Sequence, residues 1–225
     1  MTRTNTDIVR EYVEAINRND FDRLFDFCSG DCVYHVPPYV GLGIRARNDA
    51  GGRVAVAGLV AHAPAEGILE VDDILLRVQD GSRTWETTED LKMGFWGWGI
   101  PETPLTITVE RHGARLELQL LRGHVPSFDH RLADYYEMWR DDKLENWPDL
   151  KSEITQVFEK DDLVALCMLH RGTNRQFQRA AIWSECSIFR LQDGKITEMW
   201  GAEDGLAQVM QLGYELREPQ KTLVV

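Results

Sequence analysis

No stretch of this sequence approaches the roughly 20 apolar residues of a membrane-spanning helix. Its start, Met1-Thr2-Arg3-Thr4-Asn5, has no apolar segment leading to a small-residue cleavage site. No membrane partner and no secretory signal are expected, and a cytoplasmic location follows. Basic charge is scarce too. The sequence has 25 Lys and Arg against 37 Asp and Glu, a formal net charge of -12. Residues 39 to 123 carry 9 basic and 12 acidic side chains, and the remainder carries 16 and 25. Neither part has the basic footprint that would recruit nucleic acid. Cysteines number only 4. Cys28 and Cys32 are one helical turn apart, but no second Cys or His pair stands at zinc spacing. All four, with Cys167 and Cys186, are expected to be reduced and mostly buried. The histidines are scattered, with no two at i, i+4, so no metal site is expected. The glycine-rich phosphate motifs are missing as well.

What is present divides into outer pieces and an interrupting block. Ile8, Val9, Tyr12, Val13 and Ile16 recur at helical spacing behind polar Thr4-Asn5-Thr6, which predicts a capped amphipathic helix. Phe21, Leu24, Phe25 and Cys28 predict a second, stopped by Ser29-Gly30. Cys32 to Val36 reads as a strand closed by Pro37-Pro38. Beyond the block, Leu132, Tyr135, Tyr136 and Trp139 lie on one helical face. Four strands are predicted over about 151–158, 163–171, 180–191 and 195–203. Asp193-Gly194 is a strong hairpin signal, and Leu206 to Gly213 reads as a closing helical turn. Helices followed by antiparallel strands predict an α+β domain, its helices on one face of a curved sheet around a concave apolar pocket.

The set Trp147-Pro148-Asp149-Leu150, Asp162-Leu163-Val164-Ala165, Gly172-Thr173, Phe189-Arg190, Asp193 to Trp200, Asp204 and Gln211-Leu212-Gly213 resembles the SnoaL-like polyketide cyclases, members of the wider NTF2-like cone fold. Val33-Tyr34-His35 resembles the family's first strand. The resemblance covers residues 1–38 and 124–225. It implies a cofactor-free enzyme with one carboxylate as general acid and base, which by motif position is Asp204. Alternation puts Glu198, Trp200, Ala202 and Asp204 on one strand face if no bulge intervenes at Gly201. Beside Trp200 in an apolar cavity, a carboxylate would be desolvated and made more basic, as proton abstraction next to a carbonyl requires. Asp204 also stands where an N-cap of the last helix would.

Further pocket candidates are His35 at the end of its strand, His170, and the alternating pair Trp183 and Glu185. Tyr136, Trp139 and Trp200 are candidate walls for a flat hydrophobic ligand.

The block from 39 to 123 is β-rich. Strands are predicted around Leu42 to Arg45, Arg53 to Val60, Val71 to Val78, Leu105 to Val109 and Leu116 to Leu120, with a helix starting at Thr87-Thr88. Gly41-Leu42-Gly43-Ile44, Ala63-Pro64-Ala65, Asp73-Ile74-Leu75 and Val109 to Gly113 resemble a PDZ domain of the HtrA-like and tail-specific protease kind. By resemblance, the amides of Leu42, Gly43 and Ile44 would cradle a peptide C-terminal carboxylate beside a strand edge. Phe95-Trp96-Gly97-Trp98-Gly99 could line a groove, form a lid, contact a partner or fill a buried seam.

The expected protein is therefore a PDZ-interrupted NTF2-like cone acting on a hydrophobic carbonyl-containing, polyketide-like small molecule. A homodimer is expected, as is common for such cones. The rivals are a peptide- or ligand-binding adaptor and an NTF2-like hydrolase or dehydratase.

Overall fold

The computed structural model describes residues 3–81, 83–92 and 94–215. The chain divides into two units. One takes in residues up to His35 and from Asp129 onward, and the other is Val36–Phe128, slightly wider than the 39–123 block read from the sequence.

In chain order the first unit opens with α1 (Asn5–Asn17), α2 (Leu24–Phe27) and β1 (Cys28–Val36). The second unit then supplies β2 (Tyr39–Gly41), β3 (Ile44–Asn48), β4 (Val54–Leu59), β5 (Ile74–Asp80), β6 (Arg83–Trp85), α3 (Thr88–Lys92), β7 (Pro104–Arg111), β8 (Ala114–Leu121) and β9 (Gly123–Val125). The chain returns through β10 (Phe128–Arg131), α4 (Leu132–Asn146), β11 (Lys151–Lys160), β12 (Leu163–Asn174), β13 (Arg179–Gln192), β14 (Lys195–Glu203) and α5 (Gly205–Gln211). Among the described residues no helix is long and apolar enough to cross a membrane.

Local chemistry sets the element ends. Thr4 caps α1 and Asp7 returns a bond to the Thr4 amide, a capping box that satisfies two backbone donors otherwise left over. Asp193 and Gly194 have φ of 50° and 73°, the two left-handed positions of a tight turn whose twist matches the strands it joins. The first strand differs from expectation. It begins at Cys28, which the sequence assigned to the second helix, so α2 is a single turn.

The first unit's sheet runs β10-β1-β14-β13-β12-β11. β1 is parallel to β14, and β11 to β14 form an antiparallel meander. Along β13, Ala181, Trp183, Ser187, Phe189 and Leu191 are buried, while Ile182, Ser184, Cys186 and Ile188 are exposed. The buried face meets the helices. Tyr12, Leu24, Phe27, Leu132 and Tyr136 pack with Val164, Leu166, Phe189, Ile196 and Met199 in one core. This is the mixed, one-face-covered layering of an α+β fold.

Cysteine burial differs from expectation. Cys28 and Cys32 are buried, but Cys167 is half-buried and Cys186 exposed. The latter two face each other across β12 and β13 with sulfurs 3.6 Å apart.

The second unit has a sheet ordered β3-β4-β5-β7-β8, with β6 on β5 and a separate β2-β9 pair. Val54, Val56, Leu75, Val78, Leu105, Ile107 and Val109 form its core with Leu42 and Trp96. Asp73, 1% exposed, is clasped by Arg111 through two bonds of 2.7 Å. The aromatic segment splits: Trp96 is buried, its indole donating to the Leu91 carbonyl, while Trp98 is exposed. The side chain of Phe95 lies outside the described residues.

Candidate active site

On the helix-covered face of the first unit, polar residues replace the apolar core toward one end of the sheet. His170 on β12 is diagonal to Glu185 on β13, since its direct partner is Trp183 and that of Glu185 is Met168. His170 Nε2 lies 2.8 Å from Glu185 Oε2, and its Nδ1 lies 2.9 Å from the Ser152 hydroxyl on β11. Ser187, two residues on and therefore on the same face, donates to Glu185 Oε1. Burial works against the charge of Glu185, but the bonds from His170 and Ser187 outweigh it and hold the carboxyl below its ordinary range.

Glu203 ends β14 directly opposite Glu185. Its Oε2 accepts the Trp183 indole N–H at 3.1 Å. Solvent reaches Glu203, yet the surrounding protein displaces enough water to push its carboxyl up. The negative Glu185 adds to this, while the indole bond opposes it. Asp142 of α4 is also pushed up by desolvation. The phenol of Tyr34 on β1 is raised by burial and then by Glu185 and Glu203, so it keeps its proton. A side chain at Gly201 would start 3.1 Å from Tyr34 Oη, 3.4 Å from Glu185 Oε1 and 3.6 Å from Ser187 Oγ. Glycine there lets three polar atoms pack directly against the strand. Trp183 flanks it, 4.9 Å from Trp147 and 5.3 Å from His170, ring to ring.

Of the residues singled out from sequence, His170, Glu185 and Trp183 are thus brought together. His35 and Trp200 are not with them. They stack at 4.6 Å on the opposite face of the sheet. There His35 bonds Asp129 at 2.8 Å and Glu198 at 3.0 Å, and Arg190 covers Trp200 at 5.5 Å while pairing with Glu198. Tyr136 and Trp139 pack edge-on against Phe21 of the α2 approach, and the Tyr136 hydroxyl donates to Asp22. Both belong to the packing between helices. Asp204 is exposed and accepts the Ala207 amide at 3.0 Å as N-cap of α5, where the pocket face had been expected.

The sequence reading missed Tyr34 as a site group, along with Ser152, Ser187, Gly201 and Glu203. Alternation from Trp183 and Glu185 reaches Ser187 directly, so that signal was available. Among the described residues no three His, Cys, Asp or Glu side chains are arranged to hold a metal ion. A separate groove of about 360 Å³ lies between α1 and β11, with Arg10, Glu11, Val13, Glu14 and Asn17 on one side and Ser152 and Ile154 on the other.

In the second unit, Leu42 is buried and Gly43 has φ of 74°. A β-carbon on Gly43 would sit 2.2 Å from that of Ala63. The carbonyls of Leu42 and Gly43 accept from Ala65 and Val60. Glycine is therefore required by packing within the unit, whatever binds nearby.

Residues 125–212 match the SnoaL-like polyketide cyclase family. Comparison with the curated proteins gives no match. Among solved structures, a loop-truncation variant of IdmH, a protein of Streptomyces antibioticus, is similar at 17% identity and a TM-score of 0.51, covering 93% of this chain and 100% of that one. A SnoaL-like polyketide cyclase from Agrobacterium tumefaciens is 15% identical with a TM-score of 0.48, covering 94% and 100%. AclR from Streptomyces galilaeus is 14% identical with a TM-score of 0.47, covering 96% and 88%. At such identities the first likeness speaks to fold, and the curved mixed sheet under helices agrees with an NTF2-like architecture.

Proposed function

We propose that the first unit is a cofactor-independent acid–base enzyme of the cyclase or isomerase type. Its substrate is a hydrophobic, carbonyl-containing, polyketide-like small molecule. The observation that carries the reading is the pair of carboxyls on neighbouring strands, Glu185 held low and Glu203 pushed up. Environments that separate two titratable groups in this way distinguish a proton-transferring group from a fixed charge. The family match over residues 125–212 supports the reaction class.

In this mechanism Glu203 takes a proton from the carbon next to a carbonyl. The electron pair moves to the carbonyl oxygen, where the Tyr34 phenol donates a hydrogen bond to the developing negative charge. Carbon–carbon bond formation or reprotonation follows, and the protonated Glu203 returns its proton to the product. Glu185 stays ionised under His170 and Ser187 and keeps Glu203 basic. Trp183, packed at a tilt against Trp147, supplies the apolar side of the site. The role that resemblance gave to Asp204 passes to the preceding residue, because Asp204 is occupied as a helix cap. A panel of aryl 1,3-dicarbonyl compounds tests this. Glu203→Gln should lower kcat by about 100-fold or more while retaining ligand affinity. Full activity in that variant removes the proposal.

A second reading concerns the second unit. β3 lies at the end of its strand order and follows directly on Leu42 and Gly43. An edge strand can accept an extended peptide, which favours a PDZ-like capture of peptide C-termini. Binding of a peptide library that is lost on C-terminal amidation supports this; binding indifferent to amidation rules out carboxylate recognition.

A further inference from the structure

His170 is 6% exposed and has both ring nitrogens engaged. Its Nε2 faces Glu185, whose other oxygen already takes the Ser187 hydroxyl. An ionised carboxylate only accepts, so Nε2 must carry a proton. In a neutral imidazole Nδ1 is then a bare acceptor, and the group opposite it is the Ser152 hydroxyl. Ser152 is itself clamped: its amide donates to Asn17 Oδ1 at 2.7 Å, and Asn17 Nδ2 donates to its carbonyl at 2.9 Å. The last residue of α1 thus fixes a serine on edge strand β11, and the serine hydroxyl is aimed at the ring.

We infer that Ser152 is a positioning residue for the acid–base site: by donating to His170 Nδ1 it holds the ring in the orientation from which Nε2–H reaches Glu185. The inference rests on the reading of Glu185 and Glu203 given above. Ser152 acts through His170 and touches no substrate. The ring faces Glu185 on β13 and acts on Glu203 on β14; Tyr34 on β1 and Asp142 on α4 interact with these carboxyls, and Arg10, Glu11 and Glu14 of α1 line the groove that Ser152 shares. Without the Ser152 hydroxyl a buried nitrogen loses its donor, and the ring regains satisfaction by turning. Turning withdraws the bond that keeps Glu185 ionised, so Glu185 takes up a proton at higher pH.

Two measurements on the full chain decide the matter. Nitrogen-15 correlation spectra of the His170 ring should show the proton on Nε2 in the wild type and in Ser152→Thr. Ser152→Ala should keep it on Nε2 but shift its resonance, because the bond to Glu185 is lost. In turnover, Ser152→Ala should move the acid limb of the kcat profile to higher pH and lower kcat by about tenfold, with KM little changed. Ser152→Thr should restore both. A wild-type ring protonated on Nδ1 alone, or a Ser152→Ala protein with unchanged spectra and an unchanged acid limb, overturns the inference. If Glu203→Gln retains full activity, the acid–base reading fails, but the ring spectra still decide the role of Ser152.

Discussion

Replacing Lys143 with Met should make the protein more stable at neutral pH, although it removes a charge and a hydrogen bond. Lys143 lies in the last turn of α4, 2% exposed, donating to the neutral Asn19 side chain with its ammonium 5.6 Å from the Phe21 ring centroid. Burial, and then the nearby positive Lys151, bring its pKa down to about 8 from about 10.5. A lysine lowered in this way is penalised in its charged form. Between those two values the unfolded chain binds more protons, so folding stability must rise with pH. The difference of about 2.5 units corresponds to about 3 kcal/mol at neutral pH. Linkage places about 2 kcal/mol of its recovery between pH 7 and 9.5. Methionine keeps the apolar stem and removes the charge, while leaving Asn19 without its donor costs about 1 kcal/mol. The net gain at pH 7 is therefore about 1–2 kcal/mol. Urea unfolding of both proteins at pH 7 and 9.5 measures it. Comparing wild type with variant cancels the titrating groups that do not interact with Lys143, and the wild type should gain about 2 kcal/mol more than Lys143→Met across that interval. Parallel pH dependences, or a variant less stable at pH 7, would refute the reasoning.

In the second unit, Asp73→Ala should cost about 1–3 kcal/mol, because the Glu70 amide loses its buried acceptor and Arg111 loses two bonds while keeping Glu70 and the Ile68 carbonyl; differential scanning calorimetry reads the loss. Burial opposes the Asp73 charge, but Arg111 and the Glu70 amide hold its carboxyl below the ordinary value. The contribution is therefore complete above the unfolded carboxylate range and fades as pH falls through the lower folded value. Acid unfolding of wild type and variant should converge at low pH. Gly43→Ala should cost more than Gly52→Ala: both have φ near 75°, but a β-carbon at Gly43 strikes Ala63 while that at Gly52 meets open space. Thermal melts of the two variants rank them, and equal costs would mean that the Ala63 contact yields.

Much of the first unit was legible because its signals are local. The α1 cap, the Asp193-Gly194 turn and the alternation of β13 need no distant partner to be recognised. The residues carrying the family resemblance also have structural reasons. Gly172 allows Leu150 to approach, with a β-carbon there only 3.2 Å from Leu150 Cα, and Asp149 accepts the Thr173 amide at 2.7 Å. They mark the fold more directly than the chemistry. The faces of β14 were misread. Ile196 is a core residue, and strict alternation from it puts 198, 200, 202 and 204 on the core face. The ladder skips Thr197: Leu191 pairs with Ile196 and Arg190 with Glu198. This bulge inverts the parity, so Met199, Gly201 and Glu203 face the core while Glu198 and Trp200 face away. No residue at 197 announces it, since threonine is ordinary in a strand. The start of β1 at Cys28 was hidden for a similar reason: a short apolar run is ambiguous between helix and strand, and the β1–β14 pairing that decides it joins segments far apart in sequence.

Hydrogen–deuterium exchange at the carbon between two carbonyls of a bound 1,3-dicarbonyl, followed by proton NMR in heavy water, isolates the proton-transfer step. The account predicts rapid exchange with wild type and with Asp204→Asn, whose amide oxygen can still cap α5. It predicts exchange near the uncatalysed rate with Glu203→Gln. Exchange lost in Asp204→Asn and kept in Glu203→Gln would contradict it.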